Sequence, residues 1–301
     1  MAKKIKIVYI AGSGRCGSTV LGQMLGELHG FVNIGEGRYL FTEQMRRKGI
    51  PCGCGASVDK CSFWGSIAQN ISPKTISSIT KWGRAKYFPA LLLLRSLNMP
   101  LPFHQLRESV SEIEQIYKAI ALQSGAQVIV DGSKHPTYGL LLTLSGAFDV
   151  YVVHLVRSAY AVAASWSRPK DYLKERSPAQ VTLQWNVYNT FAPLVTRSKD
   201  RYMCILWESF LSNPEFYLKQ ICEFLGESID VLQGLKRRDA LSFYVDIQHV
   251  LSGNPGKLKT KRIIELQHSD WYLSKRRRAM VTLFAWPLLL KYNYLTTNKK
   301  K

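Results

Sequence analysis

A glycine-rich loop near the start of the chain is where residue types and spacing first point to chemistry. Residues 11–19 read AGSGRCGST. Gly12 and Gly17 have the spacing of the phosphate-binding loop G-x-x-x-x-G-K-[ST], and Thr19 occupies its hydroxyl position. Position 18 is serine instead of lysine, and a positive charge stands at Arg15. The loop therefore predicts a phosphate or sulfate site whose cation is an arginine.

The flanking residues supply the elements that would position this loop. Ile5 to Ile10 is a short, β-branched apolar run, which predicts a buried parallel strand. From Ser18 to Leu28, apolar residues recur at helical spacing. A strand, a loop and a helix in this order turn backbone N–H groups and the positive helix end toward an anion. The alternative is a glycine turn with a solvent-facing arginine.

A second candidate phosphate site lies far along the chain. Arg157 ends an apolar strand, and Ser165 follows eight residues later in an alanine-rich helical segment. Two helical turns separate them, so both could contact one phosphate of a nucleotide. An arginine at a strand end and a serine on a helix are common, so this pattern is weak by itself.

The whole pattern predicts an α/β fold with a mainly parallel sheet, because apolar strands alternate with helical segments. We expect strands at 5–10, 31–34, 127–130, 150–156 and 202–207, and helices at 18–28, 77–96, 109–123, 159–167 and 177–197. Such sheets bind ligands beyond the carboxyl ends of their strands. Functional residues are therefore expected at Arg15, Glu36, Lys134, Arg157 and Trp207. No linker is visible, so we predict a single domain over residues 1–301, with an irregular insertion or cap at about 45–105.

Together these motifs resemble the sulfotransferase superfamily that uses 3′-phosphoadenosine 5′-phosphosulfate (PAPS). GSGRCGST is similar to its 5′-phosphosulfate loop, and LVRSAYAVAASW is similar to its 3′-phosphate motif, with Ala159 replacing the usual proline. VDGSKHP, LWESFLSNP and HVLSGNPGKLKT resemble further segments. The resemblance covers about residues 5–295 and is closer to the carbohydrate and tyrosylprotein branches than to the small-phenol cytosolic branch.

The resemblance implies a P-loop NTPase-like, three-layer fold and sulfuryl transfer from PAPS to a hydroxyl on a glycan, a tyrosine, a lipid or a small alcohol. Adenosine 3′,5′-bisphosphate (PAP) would be the product, and no metal would be required. The implied donor-binding residues are Gly14, Arg15, Cys16, Gly17, Ser18 and Thr19 in the loop, Arg157 and Ser165 at the 3′-phosphate, Trp207 beside adenine, and Ser252, Asn254 and Lys257 in a late loop.

Catalysis would need a cation at the leaving oxygen and a base at the acceptor. Arg15 is the expected cation, since charge grows on the bridging oxygen. Glu36, 21 residues after Arg15, matches the catalytic glutamate of the tyrosylprotein branch and is our preferred base. His135 is the rival base, and its imidazole would titrate closer to neutral pH. Lys134 would contact the leaving phosphate or the acceptor. Alternatively, Glu36 only begins a helix, and Lys134 and His135 only form a turn.

Two other functions compete with this prediction. A P-loop kinase or NTPase should have lysine at position 18 and an acidic strand end for magnesium, a position that Asp131 could fill. A basic nucleic-acid-binding protein would fit the net charge of +20, but the aromatic residues are not interleaved with basic ones on a recognisable platform. We therefore expect nucleic acid not to be the partner.

The charge balance favours an anionic partner. Lys and Arg number 41 against 21 Asp and Glu, which attracts nucleotides, acidic glycans or an anionic membrane surface. The run from Lys275 to Arg278 is either a solvated surface or part of such a contact. No signal peptide and no apolar run of about 20 residues are visible, which predicts a cytoplasmic protein with peripheral membrane contact as an option. The acceptor could be anionic or polymeric.

Three of the six cysteines cluster as Cys52-x-Cys54-x6-Cys61. They could supply three of the four ligands of a zinc site. No fourth ligand is apparent nearby, and the spacing is not that of a C-x2-C pair. We therefore favour a local turn with buried or redox-active thiols and keep zinc as the alternative.

Overall fold

The fold is built around a central parallel sheet of five strands. The computed structural model describes residues 4–42, 51–168, 176–235, 237–239, 242–246, 248–251, 262–265 and 273–295. The five strands are β1 (Ile5–Ala11), β2 (Phe31–Gly35), β3 (Val128–Lys134), β4 (Phe148–Val156) and β5 (Tyr202–Leu206). All neighbours are parallel, in the order β2-β3-β1-β4-β5. The five predicted strands are confirmed, with ends that differ by a few residues.

Helices cover both faces of the sheet. Among the described residues they are α1 (Ser18–Gly26), α2 (Gly65–Gln69), α3 (Pro73–Trp82), α4 (Phe88–Ser96), α5 (His104–Ser124), α6 (Pro136–Leu144), α7 (Ala159–Trp166), α8 (Pro178–Phe191), α9 (Trp207–Ser212), α10 (Pro214–Leu225) and α11 (Lys275–Lys291). None of these helices is both long enough and apolar enough to span a bilayer.

The alternation of side chains along β1 explains the layers. Ile7 and Tyr9 join a buried cluster with α5 and α6, whereas Val8 and Ile10 join another with α1 and α10. Successive strand residues point to opposite faces, so an apolar run with no polar alternation must be covered on both sides. The three-layer, P-loop-like α/β fold predicted from the sequence is therefore confirmed.

Two predicted helices are shorter in the structure, because glycine or proline residues interrupt them. The segment expected as one helix over 77–96 forms α3 and α4, because α3 ends at Trp82, just before Gly83, and α4 begins at Phe88 with Pro89 in its first turn. Proline is accepted there since the first N–H groups of a helix need no partner within it. The helix expected over 177–197 ends at Phe191, and Pro193 lies in the short 3₁₀ turn that follows.

The last part of the chain adds a small antiparallel sheet and a helix. Strands β6 (Arg237–Asp239), β7 (Ser242–Val245) and β8 (Arg262–Glu265) pair in that order. Helix α11 packs on α7 and α8 through a third apolar cluster that includes Trp185, Val281 and Leu289. This cluster supports the carboxyl end of β4, where Arg157 lies.

Candidate functional site

The loop after β1 has the shape of an anion cradle. Gly12 has φ 134° and Gly17 has φ 102°, values that side-chain-bearing residues rarely adopt. A Cβ on Gly12 would lie 2.3 Å from the carbonyl oxygen of Leu155, and one on Gly17 would lie 2.4 Å from the ring of Trp207. Helix α1 has no side-chain cap at Gly17. Its first N–H groups are therefore left for a ligand or water.

The second phosphate motif meets this loop directly. The Nε of Arg15 donates to the Oγ of Ser165 over 3.2 Å, and the Nη1 of Arg157 donates to the carbonyl oxygen of Arg15 over 3.1 Å. Burial lowers the pKa of Arg157, and Glu208 acts against that shift. An arginine remains charged under such conditions. Two motifs 142 residues apart thus form one cationic site.

Arg157 is held in place by the elements around it. Its carbonyl oxygen accepts a hydrogen bond from the indole N–H of Trp185 at 2.9 Å. Glu208, next to Trp207 at the start of α9, accepts from the N–H of Ser158 at 3.1 Å. The end of β4, the start of α7 and the start of α9 are therefore fixed relative to one another.

Glu36 follows β2 on a turn that is bonded to the end of β3. Asp131 Oδ1 accepts from the N–H of Gly37 at 3.3 Å, and Ser133 Oγ accepts from the N–H of Arg38 at 3.0 Å. The N–H of Glu36 itself donates to the carbonyl oxygen of Leu251 at 2.8 Å. The backbone on both sides of Glu36 is thus anchored, so the carboxylate has a defined position.

Lys134 and Glu36 form an ion pair at the wall of the site. Their Nζ and Oε1 atoms are 3.0 Å apart, and the side chains are 10% and 19% exposed. Lys134 Nζ also donates to the carbonyl oxygen of Gly132 at 2.6 Å. Burial is the largest influence on the pKa of Lys134 and lowers it, but Glu36, together with Cys16 and Tyr39, raises that pKa to above its ordinary value. Lys134 is therefore an ammonium group at neutral pH.

His135 is placed differently from Lys134. Burial and the nearby Arg38 lower the pKa of His135 to about 4, so it is neutral at pH 7. Its Nδ1 is buried and has no hydrogen-bond partner among the described residues. Its ring stands edge-on to Tyr188 at 5.7 Å. It does not contribute to the lining of the cleft, in contrast to Glu36.

Arg15, Arg157 and the ion pair line a common cleft of about 490 Å³, whereas Ser165 is not among its lining residues and contacts it through Arg15. Among the described residues, five cationic side chains line the cleft against the one carboxylate of Glu36: Arg15, Arg38, Lys134, Arg157 and Arg176. This volume lies within the range of about 300 to 1,000 Å³ that is usual for small-molecule sites. The cleft is therefore suited to a nucleotide-sized ligand that carries several negative charges.

Most predicted site residues meet at this cleft, and some do not. The lining includes Gly14, Arg15, Gly17, Ser18, Thr19, Glu36, Lys134, Arg157 and Trp207. The Cys16 side chain is fully buried in the apolar cluster beneath the loop, and burial raises the pKa of its thiol. Only its backbone can serve a ligand. Ser252, Asn254 and Lys257 lie outside the described residues.

The cleft also contains residues that the sequence analysis missed. Arg38, two residues after Glu36, could have been noticed from its position after β2. Arg176 and Gln184 gave no signal, because they come from the segment between α7 and α8 and from α8 itself. The guanidinium of Arg176 donates to Gln184 and lies 5.3 Å from the ring of Trp166. No residue of the described part of the predicted cap at 45–105 lines the cleft.

A separate group of side chains could hold a metal ion. Cys52, Cys54 and Cys61 lie together with His249, and their ligand atoms are all within 4.8 Å of one another. The fourth ligand that the sequence analysis did not find is therefore present.

Comparisons with known proteins bear on the fold. No protein-family model and no curated protein matches the sequence. The structure is similar to the sulfotransferase domain from the curacin biosynthetic pathway, with a TM-score of 0.53 and 18% identity over 95% of this chain and 98% of that domain. It is also similar to the sulfotransferase domain from the Synechococcus PCC 7002 olefin synthase, with a TM-score of 0.49 and 19% identity over 94% and 96%. The first of these similarities shows that this chain has the sulfotransferase fold.

Proposed function

We propose that this chain is a sulfotransferase that moves the sulfuryl group of PAPS to a hydroxyl-bearing acceptor. The observation that carries the proposal is the contact between the two phosphate motifs, in which Arg15 bonds to Ser165 and Arg157 bonds to the Arg15 backbone. A ligand with phosphates at two separate positions fits such a double site. The sulfotransferase fold supports the same interpretation of the site.

The donor would be held by charge and by backbone N–H groups. The loop after β1, with Ser18 and Thr19, would take the 5′-phosphosulfate. Arg157 and Ser165 would take the 3′-phosphate. Trp207, whose ring covers Gly17, would stack on the adenine.

The chemistry follows from this placement. The acceptor oxygen attacks sulfur, the bond between sulfur and the 5′-phosphate oxygen breaks, and PAP leaves with the electron pair. Arg15 and the loop N–H groups stabilise the growing charge on that leaving oxygen. Lys134, an ammonium group beside the loop, would contribute to the same stabilisation.

The acceptor hydroxyl would lose its proton to Glu36. Within the described parts of the chain, this carboxylate is the one acidic side chain that lines the cleft. His135 is less suited, because it is buried and is not among the described residues that line the cleft, and its low pKa of about 4 removes the advantage that an imidazole would have near neutral pH. The fixed position of Glu36, more than its basicity, would make it effective.

A kinase or NTPase is supported less well by the same residues. Serine stands at position 18, where such enzymes need lysine. Asp131, the candidate magnesium ligand, is fully buried, and its carboxylate accepts hydrogen bonds from Ser133, Gly37 and Tyr117. Its hydrogen bonds are therefore structural, because they anchor the turn that carries Glu36.

Donor selectivity tests the proposal. PAP should stabilise the chain far more than AMP or ATP do, because only PAP carries a 3′-phosphate. At 100 times the dissociation constant the gain is about 2.7 kcal/mol, which corresponds to a Tm increase of about 4 °C for a chain of this length. Arg157→Ala should abolish the preference for PAP over AMP, and the exposed Arg107→Ala should keep it.

Equal stabilisation by PAP and AMP in the wild-type chain would refute the donor assignment. Transfer from ³⁵S-labelled PAPS to a panel of glycans, tyrosine peptides, lipids and small alcohols then identifies the acceptor. An anionic or polymeric acceptor is our expectation, because cations predominate in the cleft lining.

A further inference from the structure

We propose that Cys52, Cys54, Cys61 and His249 form a structural zinc site outside the cleft. Their four ligand atoms lie within 4.8 Å of one another, although His249 is 188 residues from Cys61. Thiolates combined with one imidazole are the donor set of structural zinc centres. All four positions come from the chain, so no coordination position is left for a substrate.

The distances agree with a tetrahedron around zinc. Zinc–sulfur bonds of about 2.3 Å in a tetrahedron place two sulfur atoms about 3.8 Å apart. The Sγ atoms of Cys54 and Cys61 are 3.7 Å apart. His249 Nδ1 lies 3.2 Å from the Sγ of Cys61 and 3.8 Å from that of Cys52. A disulfide would need a sulfur–sulfur distance of about 2.05 Å, so the separation of Cys54 and Cys61 is that of two metal ligands and not of a bonded pair.

The first two cysteines sit on a tight turn that aims both at this point. The N–H of Cys52 donates to the carbonyl oxygen of Ala56 at 2.7 Å, and the N–H of Gly55 donates to that of Cys52 at 2.9 Å. Gly55 has φ 90°, which closes the turn. Cys61 follows a short 3₁₀ turn at Val58–Lys60. Three of the four proposed ligands thus come from one local segment, and the fourth is the distant histidine.

Further contacts hold the histidine segment against this turn. The indole N–H of Trp64 donates to the carbonyl oxygen of His249 at 2.7 Å, and the ring of Phe63 stacks on the imidazole at 5.3 Å. The N–H of Gly53 donates to the carbonyl oxygen of Val250 at 3.0 Å. The metal would therefore fasten residues 51–64 to residues 248–251.

Backbone hydrogen bonds connect the segment that carries His249 to the cleft. Leu251, two residues after His249, accepts the hydrogen bond from the N–H of Glu36 and donates to the carbonyl oxygen of Ile34 at 2.9 Å. His249 is thus a positioning residue for Glu36, a step that rests on the proposed function. The zinc site itself does not depend on that function.

Metal analysis of the full-length chain tests the site without any activity assay. Chain purified under reducing conditions and loaded with zinc should retain about one zinc ion per chain after gel filtration. Cobalt loaded in its place should show thiolate-to-cobalt charge transfer and the strong visible bands of tetrahedral coordination. Failure to retain zinc, or an octahedral cobalt spectrum, would overturn the proposal. So would a Cys54–Cys61 disulfide in the chain as isolated.

Variants identify the ligands. His249→Ala and Cys61→Ser should lose zinc retention, whereas Cys204→Ser and His104→Ala, which alter exposed residues, should keep it. His249→Cys keeps four ligands, so it should retain metal and shift the cobalt spectrum even if His249→Ala fails to fold. Full retention by His249→Ala would exclude that residue as a ligand.

Hydrogen exchange at the Glu36 amide should accelerate in the metal-free chain, and an unchanged rate would refute the positioning step alone.

A different observation supports a second proposal, on helix α11. Its large apolar side chains are exposed along one arc of about 160° at 100° per residue: Met280, Leu283, Phe284, Trp286 and Leu290. Exposed basic residues stand at both ends of the helix, with Arg276 and Arg277 in its first turn and Lys291 as its last residue. We infer that this face, which we call the α11 face, docks on an anionic membrane surface.

The exposed arc corresponds to the apolar side of an interfacial helix, whereas the opposite side of α11 packs on the protein through Val281, Ala285 and Leu289. Such helices bury an apolar arc in the headgroup region while lysine and arginine meet anionic lipids. The excess of positive charge, +20 over the whole chain, adds long-range attraction to such a surface. A second copy of this chain would carry the same positive charges at both ends of its helix, and they would oppose close pairing.

Vesicle sedimentation tests this docking. The chain should pellet with phosphatidylcholine vesicles that contain phosphatidylserine and remain in solution with phosphatidylcholine alone. A Leu283→Glu, Trp286→Glu double variant should lose this binding, whereas Leu122→Glu, at an exposed site on α5, should keep it. Binding that survives the double variant would refute the assignment. A dimer that this variant dissociates, without vesicle binding by the wild type, would assign the α11 face to a second copy.

Discussion

Replacing Glu36 by glutamine separates catalysis from binding in this cleft. Glutamine keeps the size of the side chain and can still accept a hydrogen bond from Lys134, but it cannot take the acceptor proton. Loss of a general base costs about 10² to 10⁴ in rate. At 1.36 kcal/mol for each factor of ten, this corresponds to about 3 to 5 kcal/mol of transition-state stabilisation. PAP binding should be little affected, since Glu36 follows β2, whereas the phosphate motifs follow β1 and β4.

The stability effect of the same substitution should be small. Removal of one partner from a fully buried ion pair costs about 3 to 5 kcal/mol. Here the pair is partly exposed, at 10% and 19%, and glutamine preserves one hydrogen bond. We therefore expect a loss of about 1 to 2 kcal/mol, or a Tm decrease of about 2 to 3 °C. Without the carboxylate, burial should also lower the pKa of Lys134 from its raised value.

A matched control comes from a second ion pair far from the cleft. Lys6 and Glu227 are similarly buried, at 11% and 14% exposure. Glu227→Gln should lower the Tm by a comparable amount and leave kcat unchanged. The assay is transfer from labelled PAPS, with PAP affinity measured by calorimetry on the same samples. If Glu36→Gln keeps more than about a tenth of the wild-type kcat with normal PAP affinity, Glu36 is not the base. A large loss of kcat in His135→Ala would then favour the rival.

Three further outcomes follow from the structure. Gly17→Ala should cost about 2 to 5 kcal/mol in unfolding free energy and abolish PAP binding, because of its φ of 102° and the ring of Trp207 at 2.4 Å. Gly30→Ala is the control for the backbone contribution alone, since Gly30 has a φ of 81° but open space around its Cβ position; it should cost about 1 to 2 kcal/mol in denaturation and keep PAP binding in calorimetry. Trp207→Ala should weaken PAP binding by about 1 to 3 kcal/mol, as judged by calorimetry, with Trp207→Phe close to wild type if stacking is the cause. The free energy of unfolding should fall as pH drops from about 6.5 to about 4, because burial holds the pKa of His135 and His154 at about 4 and the unfolded chain takes up protons first. Each histidine contributes at most about 3 kcal/mol, and urea titrations in which His135→Gln leaves the slope between pH 7 and 5 unchanged would contradict this.

Local sequence patterns were enough to predict the elements of the sheet and the phosphate loop. The apolar run at 5–10 and the glycines after it describe a strand and a turn that need no distant information. The same holds for the strand before Arg157, which is apolar because it is covered on both faces. Helix ends were predicted less well, because Gly83, Pro89 and Pro193 break helices whose apolar spacing continues through them.

Contacts between distant segments could not be predicted from local patterns. The sequence indicated three possible metal ligands at Cys52, Cys54 and Cys61. The fourth, His249, lies beside them because Leu251, two residues later, pairs with Gly35 of β2. Arg176 enters the cleft from a segment with no periodic pattern. In both cases tertiary packing, and not spacing in the chain, brings the side chains together.

The order of the strands explains how one nucleotide could connect all the candidate residues. Along the sheet edge the order is β2-β3-β1-β4-β5, which places Glu36, Lys134, Arg15, Arg157 and Trp207 in that sequence. Neighbouring strands are about 4.8 Å apart, so the row spans about 19 Å. The adenine would lie at the Trp207 end, the two phosphate positions in the middle, and the transferred group toward Glu36. Since β1 is central, its loop is adjacent to both halves of the row, and in the proposed function the acceptor would enter from the β2 edge, on the side of the segment that carries His249.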